Sequence, residues 1–363
     1  MGVYVRSYDV ACLSRTLARS LRSFGVGLYS SECVPRKAAA RVLQVINDNG
    51  NIKRAERSSA GMLHTSVRAF ALSKRGSAYP SPSVLQPDSN KPMPKIHSPN
   101  AATSTFSFSA SGWLIAFHFG VIHGLEATGR LSRQSYLVGA SGGGIASASY
   151  MAGVSPAALL DFAKRLSSHT RQHGLWWRVH DPLKALLTAS LPEDAAEKCN
   201  GRVALAMTRV WPKPQSAAEL FTHFTSKTDL VQAMVTSSYV PCYTAPSPVV
   251  RFRGGLYTDG AIASVIPKHP EAINVCVFPS AIVPFGRCPD YHIGPDMQLA
   301  ALGVCVKQLD KWTLNPPDDK GNDYLYGLGL RAAETFVEQE VQLQASQMAP
   351  QGVLPVNLLT VPA

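Results

Sequence analysis

Ser141 stands between Gly139 and Gly143 in the run "YLVGASGGGIAS" (136–147). A serine hydroxyl becomes a nucleophile toward an acyl carbon when a sharp turn exposes it and a neighbouring group takes its proton. The flanks supply the turn. Tyr136-Leu137-Val138 reads as a short buried strand, and Ile145, Ala146, Ala148, Met151 and Ala152 recur at helical spacing. Strand, glycine turn and helix in that order put the Ser141 hydroxyl at a helix N-terminus, where unpaired amides favour a developing negative charge. A plain Gly-rich turn is the alternative reading of these residues. The candidate base is Asp259 in "GGLYTDGAIASVIP" (254–267), which follows a strand-like run and precedes Gly260. Turn chemistry alone also accounts for an Asp-Gly pair.

The elements that must position these residues begin at Ser104. "TFSFSASGWLIAFHFGVIHGLEATG" predicts a strand, a turn at Ser111-Gly112 and a helix ending near Gly129. After the Ser141 unit, "SPAALLDFAKRLSSHTRQHG" predicts a helix that Ser155-Pro156 starts and Gly174 ends. "RVALAMTRVW" (202–211) and "INVCVFPS" (273–280) read as buried strands, and "SKTDLVQAMVTSS" (226–238) as a helix capped by Ser226 or Thr228. Strands alternating with helices predict an α/β architecture with a largely parallel sheet. "GLWWRVHDPLKALLTASLP" (174–192) reads either as a core helix with two packed tryptophans or as a membrane-water boundary, where tryptophan beside cations is at home.

The net charge of +11 over 363 residues is unevenly spread. Residues 1–100 hold 15 Lys and Arg against 5 Asp and Glu, a net +10, which leaves +1 for the rest. The basic character belongs to a leader, so a nucleic-acid-binding fold loses its main support. Within that leader Leu13, Leu17, Leu21 and Phe24 form an apolar stripe among arginines, read as an organellar transit peptide, an interfacial helix or a passive tail. Residues 77–100, rich in Ser and Pro, read as a disordered linker. Seven scattered cysteines without C-x-x-C predict free thiols rather than disulfides or zinc. His118 and His123, five apart, lie off one helical face and read as core or edge residues. No metal and no cofactor are expected.

Three motifs in order, "SFSASGWL", "GASGG" and "DGA", resemble the patatin-like phospholipase family, closest to its adiponutrin and adipose triglyceride lipase branch. Further likeness runs through "NGRVALAMTRV", "HFTSKTDLVQAMVTSSYVPCY" and "FPSAIVPFGRCPD". The resemblance implies a three-layer α/β fold around a mostly parallel sheet, with the patatin-like domain at 104–290 and, more loosely, a helical extension at 291–363; it does not cover the basic leader and linker read at 1–103. It implies a Ser-Asp dyad of Ser141 and Asp259 without histidine. It also implies an oxyanion hole at Ser111, Gly112 and Trp113, with Gly260 and Ala261 completing the acidic motif. The implied activity is hydrolysis of fatty-acyl esters of glycerolipids at a membrane or lipid-droplet surface inside the cell, with room for an activating protein. Mitochondrial or plastid targeting by the leader, transfer of the acyl group from CoA, lipid-surface binding with weak turnover, and an α/β-hydrolase triad through His269 or His292 are the alternatives. One departure bears on the oxyanion loop: Ala110 and Ile115 stand where the family has glycine. A position needing φ > 0 would be strained by Ala110.

Overall fold

The strand sequences YLVGA and VALAMT do not alternate apolar with polar, and in these and in TFSF nearly every residue is buried, the serine between the two phenylalanines included. Strands covered by helices on both faces must read this way. In the computed structural model, which describes residues 104–279, 290–298 and 306–348, they are β1 (Thr105–Phe108), β2 (Tyr136–Ala140) and the first part of β3 (Val203–Trp211). They pair in parallel, and β7 (Ile273–Val275) joins β1 in parallel on the far side. The strand expected over 273–280 is thus only three residues long, extended by a bridge from Val275 to Ile293. The leader and linker, four of the seven cysteines, most of "FPSAIVPFGRCPD" and the tail beyond 348 lie outside the described residues.

On the other side of β3 the pairings are antiparallel. β5 (Val250–Phe252) and β6 (Gly255–Asp259) form a hairpin, β6 pairs antiparallel with β3, and β4 (Glu219–Phe221) does the same. The sheet is therefore mixed and mostly parallel, as expected, in the order β5-β6-β3-β2-β1-β7. The hairpin turn is Arg253-Gly254, with φ of 43° and 78°. Two consecutive positive φ values give the backward twist that a two-residue antiparallel connection needs.

Helix α1 (Ile115–Ala127) is apolar nearly all round and buries ten of its residues. The long α8 (Asp319–Met348) packs along it, tied by the Tyr326 hydroxyl to His123 at 2.9 Å and by the Arg130–Glu340 ion pair at 2.7 Å. Helix α2 (Gly142–Met151) follows β2 directly and is wholly buried. In α3 (Pro156–His173), Ser155 caps the start and Gly174 the end; α4 (His180–Ser190) and α5 (Ala195–Cys199) follow. Ser226, rather than Thr228, caps α6 (Lys227–Ser237) by accepting from Asp229 N–H. Helix α7 (Val306–Leu314) precedes α8.

Trp176 and Trp177 are not in a core helix, because the chain after Gly174 turns before α4 begins. Trp176 is 45 % exposed and stacks edge-on against Tyr243, while the half-buried Trp177 donates to Cys242 O. Among the described residues no helix is long and apolar enough to cross a membrane, and no group of three His, Cys, Asp or Glu is placed to hold a metal ion. Cys199, Cys242 and Cys276 form no disulfide.

Candidate active site

β2 pairs with β3 as far as Ala140 opposite Ala206, and β6 arrives on β3 with Asp259 opposite Met207. The two strand ends thus meet at consecutive rungs of β3. A methyl group placed on Gly260 would lie 3.2 Å from Ala140 Cβ, which shows how closely they converge. The ends can approach because the meeting point is lined by alanines: Ala110, Ala140, Ala206 and Ala261 form a buried cluster of their own.

At this junction the Ser141 Oγ donates to Asp259 Oδ2 at 2.8 Å. Ser141 sits at φ 52°, ψ −127°, at the sharp turn between β2 and α2. An L-residue there costs about 1–3 kcal/mol and persists only where the surroundings enforce it. Enforcement comes from close packing: a Cβ on Gly139 would fall 2.4 Å from Gly143 O, and one on Gly143 would fall 2.3 Å from Ser109 O. Ser141 N–H donates to Ser237 Oγ at 3.0 Å.

Asp259 is wholly buried, and Oδ1 accepts from Ala261 N–H at 2.8 Å. Burial pushes its pKa from 3.8 up to about 7, against the opposing pull of the hydrogen bonds from Ala261 and Ser141. Its backbone is fixed as well, N–H to Tyr239 O at 2.8 Å and C=O to the Thr208 hydroxyl at 2.7 Å.

The loop after β1 forms the wall opposite Asp259. Gly112 and Trp113 open a 3-10 turn, so their N–H groups have no acceptor within it, whereas Leu114 N–H reaches Ser111 O at 3.1 Å. Ser111 is buried beside Gly142 of α2. Positive φ falls on Gly112, at 53°, and not on Ala110. This corrects the expectation of strain at Ala110: the residue takes an ordinary backbone conformation, its N–H donating to Val265 O at 2.8 Å. Ile115 begins α1 without distortion.

Val240, Tyr243, Thr313 and Leu314 line the site with no signal in the sequence, whereas His118, expected as a core or edge residue, braces it from within the core. His118 is buried in α1 with its Nε2 2.8 Å from Ser109 O, and burial lowers its pKa to about 4, so it is a neutral ring bracing the loop from behind. Trp113 Nε1 donates to the Tyr243 hydroxyl at 2.7 Å, which donates to Leu314 O at 2.8 Å. Ser141 and Asp259 line an apolar cavity of ≈ 50 Å³ walled by Trp113, Val240, Tyr243, Phe278 and the end of α7 at Thr313–Leu314. No histidine intervenes between Ser141 and Asp259. His292 accepts from Asn274 N–H, and His269 is half-buried in a tilted ring contact with Tyr136.

Residues 106–270 match the family profile described as patatin-like phospholipase. The chain is similar to patatin-like phospholipase domain-containing protein 2 of Mus musculus, 26 % identical over 188 residues that make up 50 % of this chain and 38 % of the relative. It is 30 % identical to patatin-like phospholipase domain-containing protein 5 of Homo sapiens over 51 % of this chain and 45 % of the relative. A 1-acylglycerol-3-phosphate O-acyltransferase of Mus musculus is 24 % identical over 69 % of this chain and 64 % of its own length. The chain thus spans less than half the length of the first two.

Proposed function

Residues 106–270 are a patatin-like phospholipase domain, and from that premise we propose that the protein is a serine acyl hydrolase that cleaves fatty-acyl esters of glycerolipids through an acyl-enzyme on Ser141. The observation that carries this reading is the direct 2.8 Å hydrogen bond from the Ser141 hydroxyl to a buried carboxylate whose pKa lies near 7. An exposed aspartate, at ~3.9, would be too weak a base for a hydroxyl. Raised to about 7, Asp259 is about half ionised at neutral pH, and its ionised form is basic enough to take the proton.

Ser141 Oγ attacks the ester carbonyl as its proton passes to Asp259 Oδ2. The carbonyl oxygen becomes an oxyanion facing the amides of Gly112 and Trp113 and the N-terminus of α2. Collapse breaks the bond to the glycerol oxygen, which takes the proton back from Asp259 and leaves as an alcohol. Water then attacks the acyl-enzyme, giving its proton to Asp259, and the fatty acid departs as the proton returns to Ser141.

The ≈ 50 Å³ cavity accepts the reacting ester and its first carbons. Ligand pockets run to about 300–1,000 Å³, so an acyl chain needs more room than this cavity holds. Trp176, exposed and stacked on the cavity's Tyr243, suits a rim that meets a lipid surface. The reading puts the enzyme inside the cell on a membrane or lipid droplet, with the basic leader as an organelle address or interfacial anchor and with an activating protein as a candidate partner. Likeness to an acyltransferase supports a second outcome, in which a lysolipid hydroxyl replaces water as acceptor.

A fluorophosphonate probe on the full chain, followed by a glycerolipid panel with and without lysophosphatidic acid and acyl-CoA, tests the reading. Labelling at Ser141 with release of fatty acid is expected. Absence of both from folded protein overturns it.

A further inference from the structure

Leu137 stands opposite Val203 in the parallel β2–β3 pair, and its N–H donates to Arg202 O at 2.8 Å. Carried along this ladder two residues at a time, the pattern would send Ser141 N–H to Ala206 O. The ladder is interrupted there. Ser141 N–H donates instead to Ser237 Oγ at 3.0 Å, and Ser237 Oγ donates to Ala206 O at 2.7 Å. One hydroxyl is inserted between the donor and the acceptor that a regular sheet would have joined.

We propose that Ser237 is a positioning residue for acyl transfer, its hydroxyl replacing the last rung of the β2–β3 ladder so that Ser141 can leave the strand with Oγ aimed at Asp259. This rests on Ser141 being the nucleophile. The alternatives open to the chain without that hydroxyl are both damaging. Either a buried N–H and a buried C=O stay unpaired in a dry site, or β2 closes one rung further onto β3 and draws Ser141 back toward extended geometry. Ser237 is well placed to prevent this, being fully buried on the last turn of α6, whose start Ser226 fixes. Ala206 O is also the atom that a side chain on Gly260 would strike, at 2.3 Å. The same carbonyl therefore lies beside both strand ends, and a hydroxyl bound to it registers one against the other.

Thr236 provides the control. It is equally buried, and its hydroxyl donates at 2.7 Å to Gln232 O within its own helix, away from the Ser141 turn. The full chain with Ser237→Ala, Ser237→Thr or Thr236→Ala is assayed for kcat and KM on p-nitrophenyl butyrate, for the rate of fluorophosphonate labelling, and for Tm. Misplacing a reacting group by about 1 Å costs roughly 100-fold. Ser237→Ala is accordingly expected to lose roughly 10- to 100-fold in kcat and in labelling rate, with KM within about twofold. Ser237→Thr, which keeps the hydroxyl, recovers most of the loss, and Thr236→Ala lowers Tm without slowing labelling. Folded Ser237→Ala labelled at the wild-type rate overturns the proposal, as does an equal loss in Thr236→Ala. Should Ser237→Ala not fold, Ser237→Cys takes its place: its longer, weaker donor must slow labelling, and a wild-type rate overturns the proposal. Hydrolysis surviving in Ser141→Ala would instead sink the nucleophile itself. An inactive Ser141→Ala beside an unimpaired Ser237→Ala would sink only the role of Ser237.

Discussion

At the end of β2 the backbone is unusual and the side chain ordinary, whereas at the end of β6 the backbone is ordinary and the side chain is not. Ser141 takes φ 52°, ψ −127°, a conformation that close contacts at Gly139 and Gly143 impose. Asp259 sits at φ −47°, ψ 137°, in relaxed geometry. Its cost lies in the burial that holds its carboxyl near a pKa of 7. Ser141 therefore stores its free energy in a dihedral, which no change of solution conditions releases. The acid stores its free energy as desolvated charge, which a proton removes. Mutations at the two ends should separate these costs.

The largest effect is expected at Ser141. Ser141→Ala should lose at least about 1000-fold in hydrolysis, as removal of a nucleophile does in other serine hydrolases, and lose probe labelling altogether. Because alanine is as strained as serine at φ 52°, stability should stay near that of wild type. Ser141→Gly should be equally inactive yet more stable than Ser141→Ala by about 1 kcal/mol, since only glycine enters that region freely. Equal Tm values for the two variants would break the claim of stored backbone strain.

Asp259→Asn should come close in lost rate, because it keeps the shape of the carboxyl but accepts no proton. Its stability should move the other way. The folded protein holds the Asp259 proton up to about pH 7 and the unfolded chain only to 3.8. The unfolded state therefore binds fewer protons between those values, and wild-type stability falls as pH rises through the window. The fall totals on the order of 4 kcal/mol at 1.36 kcal/mol per pH unit. Asparagine carries no such cost. Urea titrations at pH 5 and pH 8 should show the variant gaining on wild type at the higher pH, and a constant difference would refute buried charge as the source.

A gentler form of the same comparison needs no mutation. If ionised Asp259 is the base, log kcat/KM should rise with unit slope below an apparent pKa of about 7 and level off above it. Activity would then climb over the pH range in which stability declines. A flat profile from pH 5 to 8 would take the proton-accepting role away from Asp259.

Much of the β2 end was legible in the sequence, because strand, glycine turn and helix are consecutive and each is marked by its own residues. The β6 end was half legible. Asp259 was visible as a turn residue, but its partner lies 118 positions away, a pairing supplied by the family resemblance and not by spacing. The antiparallel half of the sheet was missed although Arg253-Gly254 between two short apolar runs is a hairpin signal. Ser237, Tyr243 and the end of α7 reach the site only through tertiary contacts, and nothing local distinguishes a serine that closes a helix from one that completes an interrupted ladder. The alanine cluster was equally silent, since small residues advertise neither strand nor site.

Ala110 brings the two ends together in the smallest of the expected effects. Read from sequence as a missing glycine, it predicts that Ala110→Gly would relieve strain and raise turnover. In the structure the positive φ of this loop falls on Gly112, where glycine is present, and Ala110 is 95 % buried in the cluster with Ala140, Ala206 and Ala261. Its methyl group thus belongs to the same small cluster as the last residue of β2, the rung of β3 that residue faces, and the residue whose N–H holds the Asp259 carboxylate. Removing that methyl leaves the oxyanion amides where they are, so kcat/KM should stay within about twofold of wild type, far from the 100- to 1000-fold carried by a lost donor. Stability should drop by about 1 kcal/mol, from the greater freedom of the unfolded chain and the methyl-sized void between the strand ends. A several-fold rise in turnover would mean that the loop is strained at position 110 after all. A several-fold fall without unfolding would mean that the alanine cluster sets the spacing between Ser141 and Asp259.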